Sequence, residues 1–198
     1  MKKILIAVIA IIMMVNGFSQ DMGIGIRLGD PSGVTFKKYM NENALEISVG
    51  RTKFRNRKGY YEELYRDWNK EKNFGYKKFK YERFNSSTPI AIQIHYLFNN
   101  DIDDVEGLQW YYGFGGQFVH QTYSFDYKYK FDDDKNWRYA TGERVTDVDL
   151  GIDGVIGLEY TFDDAPISIF LDAILFMEIV DNPFVFWYQG GFGVRYNF

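Results

Sequence analysis

Apolar and polar residues alternate with a period of two through most of the chain after Gly23, which is the pattern of β-strands with one apolar face. Clusters of Asp, Asn, Gly and Pro interrupt this alternation and mark turns. The pattern predicts eight strands, at residues 23–28, 34–40, 44–51, 90–98, 108–119, 150–162, 167–177 and 184–198. Eight strands are enough to close a small barrel. The prediction is therefore an all-β, eight-stranded antiparallel up-and-down barrel.

The connections between these strands differ in length in a regular way. Residues 41–43, 99–107 and 163–166 are short connections, whereas residues 52–89 and 120–149 are long ones. In an up-and-down topology the short turns share one end with both termini, and the long loops share the other. Short turns opposite long loops are typical of transmembrane β-barrels, so we expect two long extracellular hairpin loops and both termini in the periplasm.

A Tyr-x-Phe sequence ends the fourth, sixth and eighth predicted strands, at Tyr96/Phe98, Tyr160/Phe162 and Tyr196/Phe198. In the up-and-down topology these rings lie at one height on one face, where an aromatic girdle would meet the membrane interface. The second strand departs from this pattern, because it ends in Tyr39 and Met40 beside Lys37 and Lys38. We expect a bulge or an early exit of the chain there.

The alternation also divides the predicted strands into an apolar and a polar face. The polar face carries the charged or titratable residues Arg27, Glu46, His95, Asp153, Glu159, Asp172 and Arg195. Period two alone does not decide which face points outward, and a soluble lipocalin-like barrel would turn the apolar face inward. Arginines and carboxylates can pair in a narrow lumen, so we expect these seven residues to form an ion-paired plug inside a membrane barrel.

The N-terminal segment predicts export. Residues 1–19 contain Lys2 and Lys3, an apolar run from Ile4 to Val15, and small residues before an expected cleavage site ahead of Gln20. This is the pattern of a secretory signal peptide, which leaves residues 20–198 as one barrel domain. The chain has no cysteine, so neither a disulfide nor a thiolate metal site is expected.

The signal peptide, the opening GIGIRLGDPSG, the alternating strands and the closing GGFGVRYNF together resemble the small outer-membrane barrels of Gram-negative bacteria, the OmpX/OmpA-like group. The resemblance implies an outer-membrane location and no cofactor. It also implies that the barrel-assembly machinery reads an alternating C-terminal signal, here Phe192, Val194, Tyr196 and Phe198.

The first long loop is basic and aromatic. Residues 51–88 contain 12 Lys/Arg and 5 Asp/Glu, interleaved with ten aromatic residues. Outside a cell the abundant anions are lipopolysaccharide phosphates and acidic glycans rather than nucleic acid, so the loop predicts lipopolysaccharide or another surface partner. The spacing of Tyr61, Leu64, Tyr65 and Trp68 predicts a short helix. The alternatives are a solvated loop that pairs with the neighbouring acidic loop, and an accessory subunit of a larger envelope complex.

The second long loop begins with the strictly alternating Tyr123, Phe125, Tyr127, Tyr129 and Phe131, which extends the hairpin beyond the bilayer. The apolar parity changes between Phe118 and Tyr123, which predicts a bulge. At the tip, a weak calcium-loop spacing is formed by Asp132, Asp134, Asn136 and Glu143. Trp137 stands where such a loop requires glycine, so no metal is expected.

One pair of residues raises the possibility of catalysis. His120 and Thr122 faintly resemble the His-x-Ser element of lipid A deacylases, which are themselves small barrels. The serine is replaced by threonine, and no glutamate stands where it would orient the imidazole. We therefore expect a non-enzymatic protein and keep a lipid-A-modifying hydrolase as the alternative.

Overall fold

A computed structural model of the chain describes residues 21–53, 66–68, 70, 72, 74–133, 135–180 and 183–198. The predicted signal peptide lies outside these residues. The described part contains nine strands: β1 (Met22–Gly29), β2 (Ser32–Met40), β3 (Asn43–Arg51), β4 (Lys78–Ser86), β5 (Ile90–Asp101), β6 (Leu108–Lys130), β7 (Arg138–Thr161), β8 (Ile167–Val180) and β9 (Phe186–Asn197).

Eight of these strands close into a ring. Neighbouring strands pair in the order β5-β3-β2-β1-β9-β8-β7, and β6 pairs with both β5 and β7 to complete the circle. All of these pairings are antiparallel, and the first strand closes against the last through pairs from Gly23↔Asn197 to Gly29↔Gly191. The predicted eight-stranded up-and-down ring is confirmed.

The ninth strand, β4, was missed because the first long loop was interpreted as unstructured apart from a short helix. β4 pairs with the upper part of β6, from Lys78↔Lys130 to Ser86↔Tyr123. Its alternation of Phe79, Tyr81 and Phe84 is obscured by the lysines and arginine between them and by an irregularity after Tyr81. Residues 66–68, 70 and 72 are helical, which includes Trp68; Tyr61, Leu64 and Tyr65 lie outside the described residues. No helix in the described part of the chain is long and apolar enough to cross a membrane.

The apolar face of the ring points outward. Large exposed side chains on this wall include Ile26 (65% exposed), Phe114 (62%) and Tyr188 (80%). The inward face holds charged and amide side chains, and all seven residues of the predicted plug are buried there. The lipocalin-like alternative is therefore wrong, because it requires the opposite orientation of both faces.

β6 reverses its apolar face partway along its length. Between Trp110 and Phe118 the apolar side chains point outward and are exposed. Beyond Val119 the outward positions are polar, whereas the inward aromatics Tyr123, Phe125 and Tyr127 are at most 2% exposed. The predicted bulge is wrong, since β6 stays in unbroken register with β7 from Leu108 to Phe125. The apolar side chains therefore move from the outward to the inward face, although the register of the strand is unchanged.

β2 likewise contains no bulge. Its register with β1 and β3 is continuous, and Lys37 lies opposite Glu46 with its side chain fully buried in the lumen. The expected irregularity at Lys37 and Lys38 is wrong, because one lysine points inward to an ion pair while the other points outward.

The Tyr-x-Phe rings lie on the outward face near the end of the ring that carries the short turns. The two rings of each pair are in contact, with centroid separations of 5.3 Å (Tyr96–Phe98), 4.9 Å (Tyr160–Phe162) and 6.4 Å (Tyr196–Phe198). Phe98 also stacks on Tyr112 at 5.2 Å, which continues the aromatic surface onto β6.

Candidate functional site

The lumen near the short-turn end is filled by an ion cluster centred on Arg195. The Arg195 guanidinium donates to Glu159 Oε2 at 2.7 Å and to Glu46 Oε2 at 2.5 Å. Lys37 Nζ donates to the same Glu159 oxygen at 2.8 Å, and the Tyr39 hydroxyl donates to its other oxygen. Two cations thus face two carboxylates, and Arg195 and Lys37 are both 0% exposed.

Two further pairs continue the plug along the axis. Arg27 binds Asp172 with two nitrogens, at 2.5 Å and 3.3 Å, and donates to the carbonyl of Pro31. His95 Nε2 lies 3.0 Å from Asp153 Oδ2. All seven residues that the alternation assigned to the lumen therefore take part in three separate groups, of which the Arg195 cluster and the Arg27–Asp172 pair match each cation with a carboxylate.

Sequence reasoning missed several members of this interior. Lys37, Tyr39 and Tyr111 belong to the Arg195 cluster, with Lys37 Nζ 4.7 Å from the Tyr111 ring centre. Gln93, which the alternation places on the polar face together with Gln117 and Gln189, donates to both of these amides, at 2.6 Å and 3.0 Å, higher in the lumen. Strand parity would have assigned Lys37 inward with Thr35, had the pair of lysines not been taken as a sign of an irregular strand.

Glycines on the inward face make room for the largest interior side chains. A Cβ on Gly191 would lie 2.4 Å from the Arg27 guanidinium carbon, and one on Gly157 would lie 2.4 Å from the Tyr111 ring. The mixture of glycines with long charged residues is therefore a packing requirement of a narrow lumen.

The four residues of the predicted assembly signal share the outward face of β9. Phe192 is 56% exposed, Val194 is 51% exposed, and Tyr196 and Phe198 are half-buried. Phe198 extends the closing seam, since its amide and carbonyl both bond Met22. The side chains of these four residues therefore lie on the outer surface of the barrel and not in its lumen.

His120 and Thr122 also share the outward face, where the wall changes from apolar to polar. The residues paired with His120 are Ile90 on β5 and Val148 on β7, neither of which can orient an imidazole. The two side chains are therefore close together, but the third group of a catalytic triad is not supplied by these neighbours.

The weak calcium spacing does not produce a site. Asp132 pairs with Lys77, and Asp134 lies outside the described residues. Glu143 lies on β7 opposite Phe125, about 23 Å down the hairpin from Asp132 at the usual rise per residue. Within the described ranges, no three His, Asp or Glu side chains are grouped to hold a metal ion.

Beyond the ring, β4 joins the upper parts of β6 and β7 in a three-stranded projecting sheet. β5 pairs with β6 only as far as His120, and β8 pairs with β7 only as far as Leu150, so these three strands continue alone. Trp68 of the helical segment covers the inward face, with ring centres 6.2 Å from Phe125 and 5.8 Å from Tyr127. This aromatic cluster is a small hydrophobic core of its own.

The opposite face of the projecting sheet is basic. It carries six cations, Lys78, Lys80, Arg83, Lys128, Lys130 and Arg144, against two carboxylates, Glu82 and Asp126. We call this surface the basic face. Lys128 and Lys130 lie 5.5 Å and 5.4 Å from the Trp137 ring centre, which holds both ammonium groups on the surface.

One ion pair on the basic face is fixed in its charged form. Lys128 Nζ lies 2.5 Å from Glu82 Oε1, and this hydrogen bond lowers the pKa of Glu82 and raises the pKa of Lys128. Lys78, Lys80 and Lys130 have no carboxylate partner within the described part of the chain. The basic face therefore keeps a positive surplus that a ligand could neutralise.

The closed antiparallel ring, with its apolar exterior and ion-paired interior, defines the chain as an eight-stranded β-barrel. No family model and no curated protein match the chain. Among solved structures, that of Neisserial surface protein A (NspA) aligns with 89% of this chain and 94% of its own, at 10% identity and a TM-score of 0.42.

Proposed function

We propose that the chain is a bacterial outer-membrane barrel that contacts lipopolysaccharide through the basic face of its projecting sheet. The reversal of the apolar face on β6 carries the membrane assignment. A strand that lies in water along its whole length exposes polar residues and buries apolar ones throughout. β6 exposes its apolar residues up to Phe118 and buries them from Tyr123 onward, so its surroundings change from apolar to aqueous between these positions.

The height of the apolar wall supports this assignment. On β7 the outward residues from Val148 to Tyr160 are predominantly apolar. Twelve residues of strand correspond to about 40 Å along the chain, or about 30 Å along the axis at a tilt of about 40°. Outer-membrane barrels carry an apolar band of about 25 Å. The wall is therefore tall enough to span the membrane.

The asymmetry of the two ends favours one orientation. The short turns, the start of β1 and the end of β9 share the end with the Tyr-x-Phe rings, whereas the projecting sheet lies at the other. Because outer-membrane barrels have short periplasmic turns and long outer loops, the projecting sheet is extracellular in this proposal.

The basic face then stands above the outer leaflet. Lys128 follows His120 by eight residues on the same face of β6, which corresponds to about 26 Å along the strand. Tyr139, 69% exposed beside Lys128, adds an aromatic ring of the kind that packs against sugars. Lysines and aromatic rings at this height suit the phosphorylated core sugars of lipopolysaccharide.

Neutralising two free lysines of the basic face tests this contact. We expect Lys78→Gln/Lys80→Gln to weaken binding of purified lipopolysaccharide to the detergent-solubilised barrel by about 10- to 30-fold at low salt, since each surface cation contributes about 1 kcal/mol. Lys38→Glu is the matched control, because it makes the same change in net charge at the opposite end of the barrel. Equal affinities for wild type and the double variant would reject the contact. A co-purifying protein in native mass spectrometry would instead favour a role as an accessory subunit.

The same proposal assigns no catalysis to the wall. His120→Ala and Thr122→Ala are expected to leave the acylation pattern of lipid A unchanged, because Ile90 and Val148, the residues paired with His120, carry no carboxylate to orient the imidazole. Mass spectrometry of lipid A from cells that express each form measures this. An acyl chain removed by wild type and retained with His120→Ala would establish the hydrolase instead.

A further inference from the structure

A cavity opens at the rim of the ring, between the end of β3 and the link that joins β4 to β5. It has a volume of about 420 Å³ and is lined chiefly by Ser32, Arg51, Lys53, Ser86, Ser87 and Thr88. We call it the rim pocket. The rim pocket is separate from the basic face, because none of its lining residues belongs to that face.

An irregularity in strand pairing creates the rim pocket. Ile90 pairs with His120, and Ser86 pairs with Tyr123. Four positions separate Ile90 from Ser86, but only three separate their partners on β6, so the first segment contains one extra residue. Two hydrogen bonds of Ser87 hold this irregular segment against β6. The Ser87 amide donates to Thr122 O at 2.8 Å, and the Ser87 carbonyl accepts from Gln121 Nε2 at 2.9 Å. Pro89 O accepts from the Thr52 amide at 3.2 Å, which holds the end of β3 against the same link. The pocket is therefore built on fixed backbone.

The rim pocket lies at the upper boundary of the apolar wall. Ile47, Val49 and Arg51 share the outward face of β3, so the first cation stands two residues above the last apolar side chain. Arg51 pairs with Ile90, and Ile90 pairs with His120. At His120 the outward residues of β6 change from apolar to polar. In a membrane barrel this is the height of the lipid headgroups.

Four polar side chains of the rim pocket are available to a ligand. The Arg51 guanidinium, the Lys53 ammonium and the hydroxyls of Ser86 and Thr88 make no hydrogen bond or ion pair within the described residues. The nearby Asp30 carboxylate is already engaged, since it accepts from Thr52 Oγ1 at 2.6 Å, the Lys53 amide at 3.0 Å and Trp187 Nε1 at 3.2 Å. Two cations therefore face one occupied carboxylate.

We infer that the rim pocket binds the phosphate group of an anionic lipid headgroup in the surrounding leaflet. A guanidinium binds phosphate oxygens with two parallel hydrogen bonds, an ammonium adds a point charge, and hydroxyls donate to the remaining oxygens. The height of the pocket makes a lipid the source of the phosphate. This inference rests on the proposed membrane location but not on the basic face.

The test compares lipid A that carries its phosphates with dephosphorylated lipid A, each titrated into the detergent-solubilised full-length barrel and followed by native mass spectrometry. We expect wild type to prefer the phosphorylated form by about tenfold or more, since a charge-assisted contact is roughly twice as strong as a neutral one. Arg51→Gln/Lys53→Gln is expected to lose this preference. Arg51→Lys is expected to keep part of it, because the charge remains while the bidentate geometry is lost.

Lys78→Gln/Lys80→Gln is the matched control, because lipid A lacks the core sugars that the basic face would contact. This variant should keep the preference for phosphorylated lipid A but lose affinity for full lipopolysaccharide. The proposals for the rim pocket and for the basic face can therefore fail independently. An unchanged preference in Arg51→Gln/Lys53→Gln would overturn the inference. Displacement of lipid A by an equal concentration of inorganic phosphate would also overturn it, in favour of a free-anion site. Slower migration of boiled than unboiled samples on a gel verifies that each variant is folded.

Discussion

Arg195→Met is expected to lower the free energy of unfolding of the barrel by about 3–5 kcal/mol, which is the usual cost of breaking a buried ion pair by removing one partner. Arg195 binds Glu46 and Glu159 and stacks on Phe170 with its guanidinium carbon 3.7 Å from the ring centre. Without it, Lys37 alone would face both carboxylates. Urea unfolding of the barrel in detergent micelles, followed by tryptophan fluorescence, measures the change.

Two further variants separate lost charge balance from lost packing. Arg195→Met/Glu46→Gln is expected to lose less stability than the single variant, because Lys37 and Glu159 then remain as a balanced pair. Arg144→Met, an exposed arginine on the basic face, is expected to change stability by less than about 0.5 kcal/mol. If Arg195→Met is as stable as wild type, the Arg195 ion cluster fills the lumen but does not stabilise the barrel.

In the proposed outer-membrane location, deleting Phe198 is expected to remove most of the protein from that membrane and leave it degraded or aggregated in the periplasm. The deletion removes the last aromatic side chain of the outward row that follows β9. It also removes the two backbone hydrogen bonds between Phe198 and Met22, where the last strand closes against the first. Fractionation, with boiled and unboiled gel samples compared, measures the folded membrane level.

A matched aromatic isolates the role of the C-terminus. Phe162→Ala removes a ring from the same outward girdle on β7, where Phe162 is 41% exposed, but leaves the last strand intact. It is expected to assemble at a level close to that of wild type. If the Phe198 deletion also reaches the membrane normally, the proposed assembly signal is wrong.

Much of the barrel wall could be predicted because strand parity is a local property. Residues such as Ile24 and Arg27 alternate with a period of two whatever their neighbours are, so strand positions and face membership follow from the chain itself. The seven residues assigned to the lumen are buried on the inward face for the same reason. Lys37 is absent from that list because the two adjacent lysines were interpreted as a sign of an irregular strand.

Two errors, the bulge expected on β6 and the unrecognised strand β4, arose because the local pattern was interpreted without its tertiary surroundings. The parity change between Phe118 and Tyr123 suggested a bulge on the assumption that apolar residues stay on one side of a strand. That assumption fails on β6, which keeps its register while its apolar side chains change from the outward to the inward face. In the proposed membrane location, this change marks the boundary between apolar and aqueous surroundings. β4 was unrecognised because its pairing depends on the upper part of β6, where the paired residues are 37 to 52 positions away in the chain.

The amino-acid sequence by itself determined the strand positions, the alternation of their faces and the aromatic row at the C-terminus, because each depends on residues one to four positions apart. Only the tertiary structure decided which face points outward, how the lumen charges pair and where β4 completes the projecting sheet. Arg195 meets Glu46 across 149 positions of chain, and Arg27 meets Asp172 across 145. Such partners are chosen by ring closure and strand register, which no local pattern encodes.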